Sequence, residues 1–261
     1  MADSFALSNG VNMPAIGFGT WKISPDSAAE ETVLEALKAG YRHIDTAKLY
    51  SNERGVGAAV RASNIPREDI FVTTKLWNSD HAYDDALHAF DESLERLGLD
   101  YVDLYLIHWP GTSRRGEAWR ALQHIYKAGK AKSIGVSNYS IENIEEIVQS
   151  GGMLPMANQI EFHPFIYAEQ KELLEYCKQQ GIQVEAYSPL AQHSQHAHPV
   201  VIEIAKRHGR SPSQVILRWC LQHGTAPLPR STNPDHIREN IEVLDFELSA
   251  EDMERIDHIS V

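Results

Sequence analysis

The chain is poor in cysteine, in net positive charge and in long apolar runs, and each shortage excludes a class of protein. Its two cysteines, Cys177 and Cys220, lie in separate helix-like segments, which argues against a disulfide scaffold and favours a reducing compartment. The formal net charge of −12 would repel nucleic acid and anionic membranes. No segment has the length of a membrane span, and the N-terminal residues do not have the pattern of a signal peptide. We therefore expect a cytoplasmic protein that binds neither nucleic acid nor membrane.

A strand-then-helix pattern repeats along the chain. After a hairpin predicted at Asn9-Gly10, the couplet recurs eight times with no low-complexity linker. The strand segments are too apolar for a sheet with one exposed face, so a parallel sheet covered by helices is expected. Eight units favour a closed (β/α)8 TIM barrel, one domain over residues 1–261, with an open doubly wound sheet as the alternative. The strand segments are IGFGTW, HIDTA, IFVTTKLW, VDLYLIHW, SIGVSN, ANQIEF, QVEAYSP and APLPRS.

Polar side chains follow these strands at their carboxyl ends, where a barrel of this kind carries its chemistry. Each one alone has an ordinary structural explanation, such as capping the next helix. What favours a site is that all of them would converge on one face. The residues are Asp45, Tyr50, Lys75, His108, Ser137, Asn138, Gln159, Glu161, Tyr187, Ser188, Arg230 and Ser231.

Four of these side chains could add a proton to a carbonyl oxygen. A tyrosine pKa near 10 is too high for efficient acid catalysis at neutral pH, and the Lys75 ammonium could lower the pKa of Tyr50. Asp45 would supply the counter-ion of Lys75. Neutral His108 could hydrogen-bond the carbonyl and orient it. Such a device still needs a hydride donor beside it.

The sequence also indicates where that donor would bind. Ser137, Asn138 and Gln159 offer groups suited to a carboxamide, and Tyr187 offers a ring face for stacking. The segment PRSTNPDHIREN places cationic and hydroxyl groups before a helix, as phosphate binding requires. An apolar substrate wall, with ordinary packing as the alternative explanation, could come from three tryptophans at strand ends: Trp21, Trp77 and Trp109.

Several segments together resemble the aldo-keto reductase family, in order and approximate spacing, along nearly the whole chain. The nearest resemblance is to its bacterial type and the 2,5-diketo-gluconic acid reductase branch. It implies a (β/α)8 barrel that binds an extended nicotinamide cofactor without a Rossmann motif. The implied activity is NAD(P)H-dependent reduction of aldehydes or ketones, of the alcohol dehydrogenase and aldehyde reductase type. The segments are GYRHIDTAKLYSNERGVG, LYLIHWP, GKAKSIGVSNY, NQIEFHP, AYSPL and PRSTNPDHIREN.

The resemblance also implies roles for individual residues. Asp45, Tyr50, Lys75 and His108 would form the catalytic tetrad, with Tyr50 as the general acid. The carboxamide would lie at Ser137, Asn138 and Gln159, above the ring of Tyr187. The rest of the cofactor would be held by Gly19, Thr20, Trp21, Ser188, Leu190, Arg230, Ser231, Thr232, His236, Glu239 and Asn240.

The chain departs from the family pattern in ways that bear on specificity. Arg230 stands where lysine is common, and His236 where arginine is common. Because histidine is a weaker and pH-dependent cation, we expect NADPH as the cofactor with NADH able to compete. The short segment after His108 and the end at IDHISV predict a shallow, open pocket and a broad substrate range.

Three other features are set aside. The run Gly55–Val60 resembles a dinucleotide-binding loop but lies in a helix-like segment rather than after a strand. His193, His196 and His198 have no nearby acid or cysteine, so a solvated loop is expected there and no metal. No heptad or repeat indicates assembly, which favours a monomer, and Lys48 has no assigned role.

Two functions from other classes are possible for this pattern. A non-catalytic nicotinamide-binding module could report redox state to a protein partner, although the intact tetrad weighs against it. A lyase or hydrolase could use Lys75 as a Schiff base or a base. Asp45 weighs against that, because it would keep the lysine protonated.

Overall fold

An N-terminal hairpin precedes the main sheet. In the computed structural model, which describes residues 3–111, 113–191 and 198–259, β1 (Ser4–Ala6) pairs antiparallel with β2 (Asn12–Pro14). The predicted turn is confirmed, since Gly10 adopts φ +85° between the two strands, in the left-handed region that glycine tolerates. The Asn9 side chain donates to the Lys132 carbonyl at 2.9 Å and so fixes the hairpin to the barrel.

Eight parallel strands follow in chain order and curl into a barrel. Consecutive strands pair with one another. The first and last are joined by amides of Gly17 and Gly19, which donate at 3.0 Å to the carbonyls of Pro227 and Pro229. The predicted (β/α)8 barrel is therefore confirmed over the open doubly wound sheet. The strands are β3 (Phe18–Gly19), β4 (His43–Asp45), β5 (Phe71–Leu76), β6 (Val102–Ile107), β7 (Ala131–Ser137), β8 (Ala157–Glu161), β9 (Gln183–Tyr187) and β10 (Ala226–Leu228).

Helices surround the barrel, and their ends follow signals in the sequence. The first one stops at Gly40, which takes φ 108° and satisfies carbonyls of the last turn. The last one, after residue 249, was not predicted, although its capping box of Ser249 and Asp252 is a recognisable start signal. The helices are α1 (Asp26–Ala39), α2 (Glu53–Ala62), α3 (Tyr83–Leu97), α4 (Arg115–Lys127), α5 (Ile141–Gln149), α6 (Tyr167–Gln180), α7 (Pro199–His208), α8 (Pro212–Gln222), α9 (Pro234–Ile241) and α10 (Ala250–Asp257).

The glycines of α2 serve helix packing. A Cβ at Gly55 would overlap the Asp26 carbonyl, and a Cβ at Gly57 would overlap the Leu97 carbonyl. Their absence of side chains lets α2 approach the start of α1 and the end of α3. The run Gly55–Val60 is thus helical, as the sequence analysis expected, and is not a dinucleotide-binding loop.

The core follows from strands that are covered on both faces. Every residue of β5 and of β6 is buried, which explains the near-continuous apolar runs of these segments. Lys75 in β5 and Asp45 in β4 are charged yet buried, so they mark the end of the barrel where the chemistry lies. In the part of the chain that the structure describes, no helix is long and apolar enough to cross a membrane.

Candidate active site

Tyr50 is carried by a short turn that the barrel holds firmly. The chain leaves β4 and forms a 3-10 turn over Lys48–Tyr50. Asn52, which is fully buried, donates at 2.9 Å to the carbonyls of Thr20 and Ile23, and its oxygen accepts from Thr46 at 2.7 Å. Three hydrogen bonds therefore fix the chain just beyond Tyr50, and the phenol is held over the strand ends.

Lys75 lies between Asp45 and Tyr50, as the sequence predicts. Its Nζ donates to both carboxylate oxygens of Asp45, at 2.7 and 2.8 Å, and to the Thr46 carbonyl at 3.0 Å. The Tyr50 hydroxyl accepts from the same Nζ at 3.3 Å. Since Lys75 is wholly buried, this set of acceptors compensates the loss of water around the ammonium.

The charge state of Lys75 is settled by its neighbours. Burial by itself lowers the pKa of Lys75, but the charges and hydrogen bonds of Asp45 and Tyr50 raise it above its ordinary value. The lysine is therefore an ammonium at neutral pH. A Schiff-base role requires the neutral amine, so this geometry disfavours the lyase or hydrolase alternative.

The pKa of Tyr50 differs from the sequence expectation. Burial raises the pKa of the phenol, Lys75 lowers it, and the net direction is upward. Lys75 therefore lowers the pKa of the phenol, as predicted, but it does not bring the pKa below its ordinary value in the protein alone. The reason is that desolvation of a phenolate outweighs one ammonium that is already neutralised by Asp45.

His108 contributes a neutral ring beside the phenol. Its ring centroid is 5.6 Å from that of Tyr50 and 5.2 Å from that of Trp77, both edge to face. Burial and then the charge of Lys75 lower the pKa of His108 to about 3. An uncharged imidazole can donate or accept a hydrogen bond without adding charge to the site.

These groups open into a large cavity at the carboxyl ends of the strands. The cavity has a volume of about 610 Å³, within the range of small-molecule sites. Its mouth carries three large apolar side chains, Trp21, Leu49 and Trp109, which are 42–44% exposed. Further lining comes from Gly19, Asp45, Tyr50, His108, Ser137, Asn138, Gln159, Glu161, Tyr187, Ser188, Leu190 and Arg230.

The residues proposed to hold the carboxamide are ordered by one another. Ser137 donates to the Gln159 carbonyl at 2.8 Å, and Asn138 donates to the His108 carbonyl at 3.0 Å. The Tyr187 hydroxyl donates at 2.8 Å to Oδ1 of Asn138. Asn138 adopts φ 61°, a conformation that costs energy for a residue other than glycine. Strain at such a position is frequent in binding sites.

Gln159 shows that the site fits a primary carboxamide. Its Nε2 donates to Oδ2 of Asp45 at 2.9 Å and to Oε2 of Glu185 at 3.2 Å. No other described residue hydrogen-bonds its Oε1, and Gln159 lines the cavity. A free amide oxygen at this place can accept from an incoming NH₂ group. This free acceptor is therefore complementary to the NH₂ group of a carboxamide such as that of nicotinamide.

Other predicted residues lie away from the cavity wall. Thr20 is buried and donates to the Asp45 carbonyl at 2.9 Å, so its side chain supports β4, and Trp77 contacts the ring of His108. Glu239 accepts from the hydroxyl of Ser211. The segment proposed for the adenosine end follows the cavity residue Arg230 along the chain, outside the cavity wall: Ser231, Thr232, His236, Glu239 and Asn240.

Two functional candidates escaped the sequence analysis. Glu185 in β9 is fully buried next to Gln159, and an acid between Val184 and Ala186 was the available signal. Lys48 forms an ion pair with Asp80 at 2.7 Å, which sequence spacing does not reveal.

The histidine-rich loop offers no evidence for a metal. His193 and His196 lie outside the described residues, and His198 caps α7 by accepting from the Val200 amide at 3.3 Å. Among residues 3–111, 113–191 and 198–259, no group of three or more His, Cys, Asp or Glu side chains could hold a metal ion.

Comparison with known proteins gives the family. A sequence model described as "Aldo/keto reductase family" matches residues 15–261. Glyoxal reductase of Bacillus subtilis is 49% identical over 260 residues, which cover 100% of this chain and 94% of that protein. Glycerol 2-dehydrogenase (NADP(+)) of Saccharomyces cerevisiae is 44% identical over 287 residues, covering 98% and 90%.

The solved structures agree with the sequence relatives. An aldo/keto reductase from Brucella melitensis superposes with a TM-score of 0.94 at 46% identity, covering 98% of this chain and 97% of that one. The match spans the barrel and the loops that carry the polar strand ends. The chain therefore belongs to the aldo/keto reductase family.

Proposed function

We propose that the protein reduces aldehydes or ketones to alcohols with NADPH, and that Tyr50 is the general acid. The observation that carries this proposal is the contact of Lys75 with both Asp45 and Tyr50 at the floor of the cavity. A bound nicotinamide supplies the hydride that the protein's own side chains lack. The family is one of nicotinamide-dependent oxidoreductases.

The side chains would act on the carbonyl oxygen. His108 and Tyr50 would both donate hydrogen bonds to that oxygen, and they would hold the carbonyl carbon facing the ring of the cofactor. As negative charge develops on the oxygen, Tyr50 gives up its proton and the Lys75 ammonium stabilises the phenolate that remains. Asp45 keeps Lys75 charged and in place. The phenol regains its proton from solvent before the next turnover.

The cofactor would follow the residues that line the cavity. Ser137, Asn138 and Gln159 would bind the carboxamide, and Tyr187 would stack on the ring. The same route runs past Gly19, Trp21, Ser188 and Leu190 to Arg230, whose exposed guanidinium suits a phosphate. Thr20, Ser231, Thr232, His236, Glu239 and Asn240 complete the set that we assign to the cofactor and its adenosine end.

For the substrate we propose small carbonyl compounds with little selection beyond the aldehyde or ketone group. Trp21 and Trp109 present apolar surface at the cavity mouth, and Trp77 supports His108 from behind. Relatives include a glyoxal reductase and a glycerol 2-dehydrogenase, which supports short oxygenated substrates as the first panel. The 2,5-diketo-gluconic acid reductase branch stays a prediction.

A purely sensing role is disfavoured by the same geometry. A protein that only reports cofactor redox state needs the cofactor site, but it does not need a phenol held against a buried ammonium. Maintaining Lys75 and Asp45 in the core costs desolvation energy, and catalysis gives that arrangement a purpose.

The test is turnover of glyoxal, methylglyoxal and benzaldehyde with NADPH, followed by cofactor absorbance, in the wild type and in Tyr50→Phe. We expect wild-type turnover and a loss of kcat of at least about 100-fold in the variant, in line with the usual contribution of general acid catalysis. Cofactor affinity should be retained. NADPH binding without wild-type turnover would contradict the enzymatic function, and unchanged turnover in Tyr50→Phe would contradict the assigned acid.

A further inference from the structure

The amide of Gln159 lies between two buried carboxyl groups, of which the proposed mechanism uses one. Its Nε2 is 2.9 Å from Oδ2 of Asp45 and 3.2 Å from Oε2 of Glu185. Glu185 is directly opposite Gln159 in the pairing of β8 with β9, and it is wholly buried. One hydrogen-bonded amide thus links Glu185 to the tetrad and to the place assigned to the nicotinamide ring.

Among the residues that the structure describes, the cluster holds two acids, Asp45 and Glu185, and one close cation, Lys75. Both oxygens of Asp45 are engaged by Lys75. Within the described part of the chain Glu185 has no such partner, since its Oε1 accepts no hydrogen bond there and lies 3.4 Å from Nε2 of His43. Burying a second carboxylate without a cation is strongly unfavourable, so the geometry favours a protonated Glu185 while the site carries no other positive charge.

Three neighbouring groups, His43, Lys75 and Tyr50, keep their charge states through the neutral range. The groups that face Glu185 are His43 and Asp45 from β4, Lys75 from β5, and Tyr50 beyond β4. Burial and then Lys75 lower the pKa of His43 to about 3, and the pKa values of Lys75 and Tyr50 are raised. Burial and then Asp45 raise the pKa of Glu185 to about 8.

We propose that Glu185 sets the charge beneath the nicotinamide ring according to the redox state of the cofactor. This proposal rests on the proposed function. Glu185 keeps its proton when the reduced, uncharged nicotinamide ring is bound, and it releases the proton to solvent when the oxidised, cationic ring is bound. Ionisation takes the Asp45, Lys75 and Glu185 cluster from neutral to one net negative charge, which attracts the cationic ring. Glu185 is then a specificity-determining residue that acts through Gln159, without touching the substrate.

Proton release on binding is the measurement that isolates this effect. NADP⁺ and NADPH are titrated calorimetrically into the Tyr50→Phe protein, in two buffers that differ in ionisation enthalpy. The substitution removes the Tyr50 phenol, a second acid that a cationic ring would make more acidic. We expect NADP⁺ to release protons and NADPH to release fewer. Both forms carry the same 2′-phosphate, so its titration cancels in the comparison.

The affinities for NADP⁺ and NADPH should depend on pH through the same ionisation of Glu185. Between about pH 6.5 and pH 9.5, the preference for NADP⁺ over NADPH should rise roughly three- to tenfold, because a shift of one pKa unit corresponds to a tenfold change in an equilibrium constant. The rise should centre near the pKa of Glu185.

The matched control is Glu185→Gln in the same Tyr50→Phe background. The new amide keeps a carbonyl that can accept from Gln159 and cannot ionise. We expect both cofactor forms to bind, with equal proton release and a flat preference across pH. Equal release for both forms in the Tyr50→Phe protein, or a differential release that persists in Glu185→Gln, overturns the inference. If Glu185→Gln does not fold, the comparison of NADP⁺ with NADPH in the Tyr50→Phe protein tests the inference by itself. Failure of either cofactor form to bind the Tyr50→Phe protein overturns the proposed function as well.

Discussion

Lys48 and Asp80 form an ion pair, with Nζ 2.7 Å from Oδ2, that ties the turn carrying Tyr50 to the loop after β5. Lys48 begins the 3-10 turn that ends at Tyr50, and Asp80 ends the one that follows Trp77. The pair therefore connects the segment of the proposed acid to the segment of an aromatic side chain that packs on His108. We therefore expect Lys48 to help position Tyr50, a role that the sequence did not reveal.

Breaking this pair should affect turnover more than stability. In Lys48→Met we expect a change in unfolding free energy of less than about 1 kcal/mol, because both side chains are partly exposed. We expect kcat to fall roughly three- to tenfold, since small misplacements of catalytic groups are costly. Steady-state kinetics and urea denaturation measure the two quantities.

A double-mutant cycle provides the control. Asp80→Asn should lower kcat by a similar or smaller factor, because Lys48→Met also removes a longer ion pair with Glu92 at 3.5 Å. The double variant should lose little more than Lys48→Met, because both single changes break the Lys48–Asp80 pair. Lys48→Arg should retain most of the activity. Full additivity of the two single changes would show that the ion pair does not position Tyr50.

Much of the fold and of the site's membership can be predicted from the sequence. The apolar strand segments, the turn at Asn9-Gly10 and the stop at Gly40 each rest on local chemistry, and the structure has them all. Closure of the barrel then brings Asp45, Lys75 and the other strand-end residues to one face without further information.

The remaining features depend on contacts between distant segments. Thr20 adjoins the cavity residues Gly19 and Trp21 in sequence, yet its hydroxyl turns to the Asp45 carbonyl. Glu185 appears in its strand as one acid among small residues, and only the pairing of β8 with β9 places it at Gln159. The pKa of Tyr50 could not be foreseen, because its sign depends on how deeply the phenol is buried.

Cofactor selectivity should depend on Arg230 and His236. Arg230→Ala is expected to raise the Kd of NADPH about tenfold or more and to leave that of NADH nearly unchanged, since a charge-assisted hydrogen bond to the 2′-phosphate would be lost. His236→Arg should act in the opposite direction, because a guanidinium is permanently charged. Quenching of tryptophan fluorescence measures both affinities. An equal loss for the two cofactors in Arg230→Ala would place the phosphate elsewhere.

Gly57 should be essential for packing although it lies in a helix. Alanine is favoured over glycine by up to about 1 kcal/mol in a helix interior, but a Cβ at Gly57 would overlap the backbone carbonyl of Leu97. We expect Gly57→Ala to destabilise the fold by about 1–3 kcal/mol net, because α2 and α3 must separate. Gly116 in α4 is the matched control, since the nearest atom to its added Cβ is 3.8 Å away. Denaturation midpoints that move equally in both variants would contradict this explanation.

The unfolding free energy of the protein should depend on pH because Glu185 is buried. Its pKa in the folded protein is raised from 4.5 to about 8, so below its ordinary pKa the carboxyl is protonated in both states and its contribution to stability is complete. As pH rises from 4.5 through about 8 the unfolded chain loses this proton first, and stability falls by about 1.4 kcal/mol per pH unit at most.

Glu185→Gln removes the titration and keeps the shape of the side chain. We expect its unfolding free energy relative to the wild type to grow between about pH 6 and pH 8, by on the order of 2 kcal/mol over that interval. Chemical denaturation of both proteins at several pH values measures this difference, in which the contributions of all other titrating groups cancel. A difference that stays constant with pH would mean that Glu185 is already ionised in the folded protein.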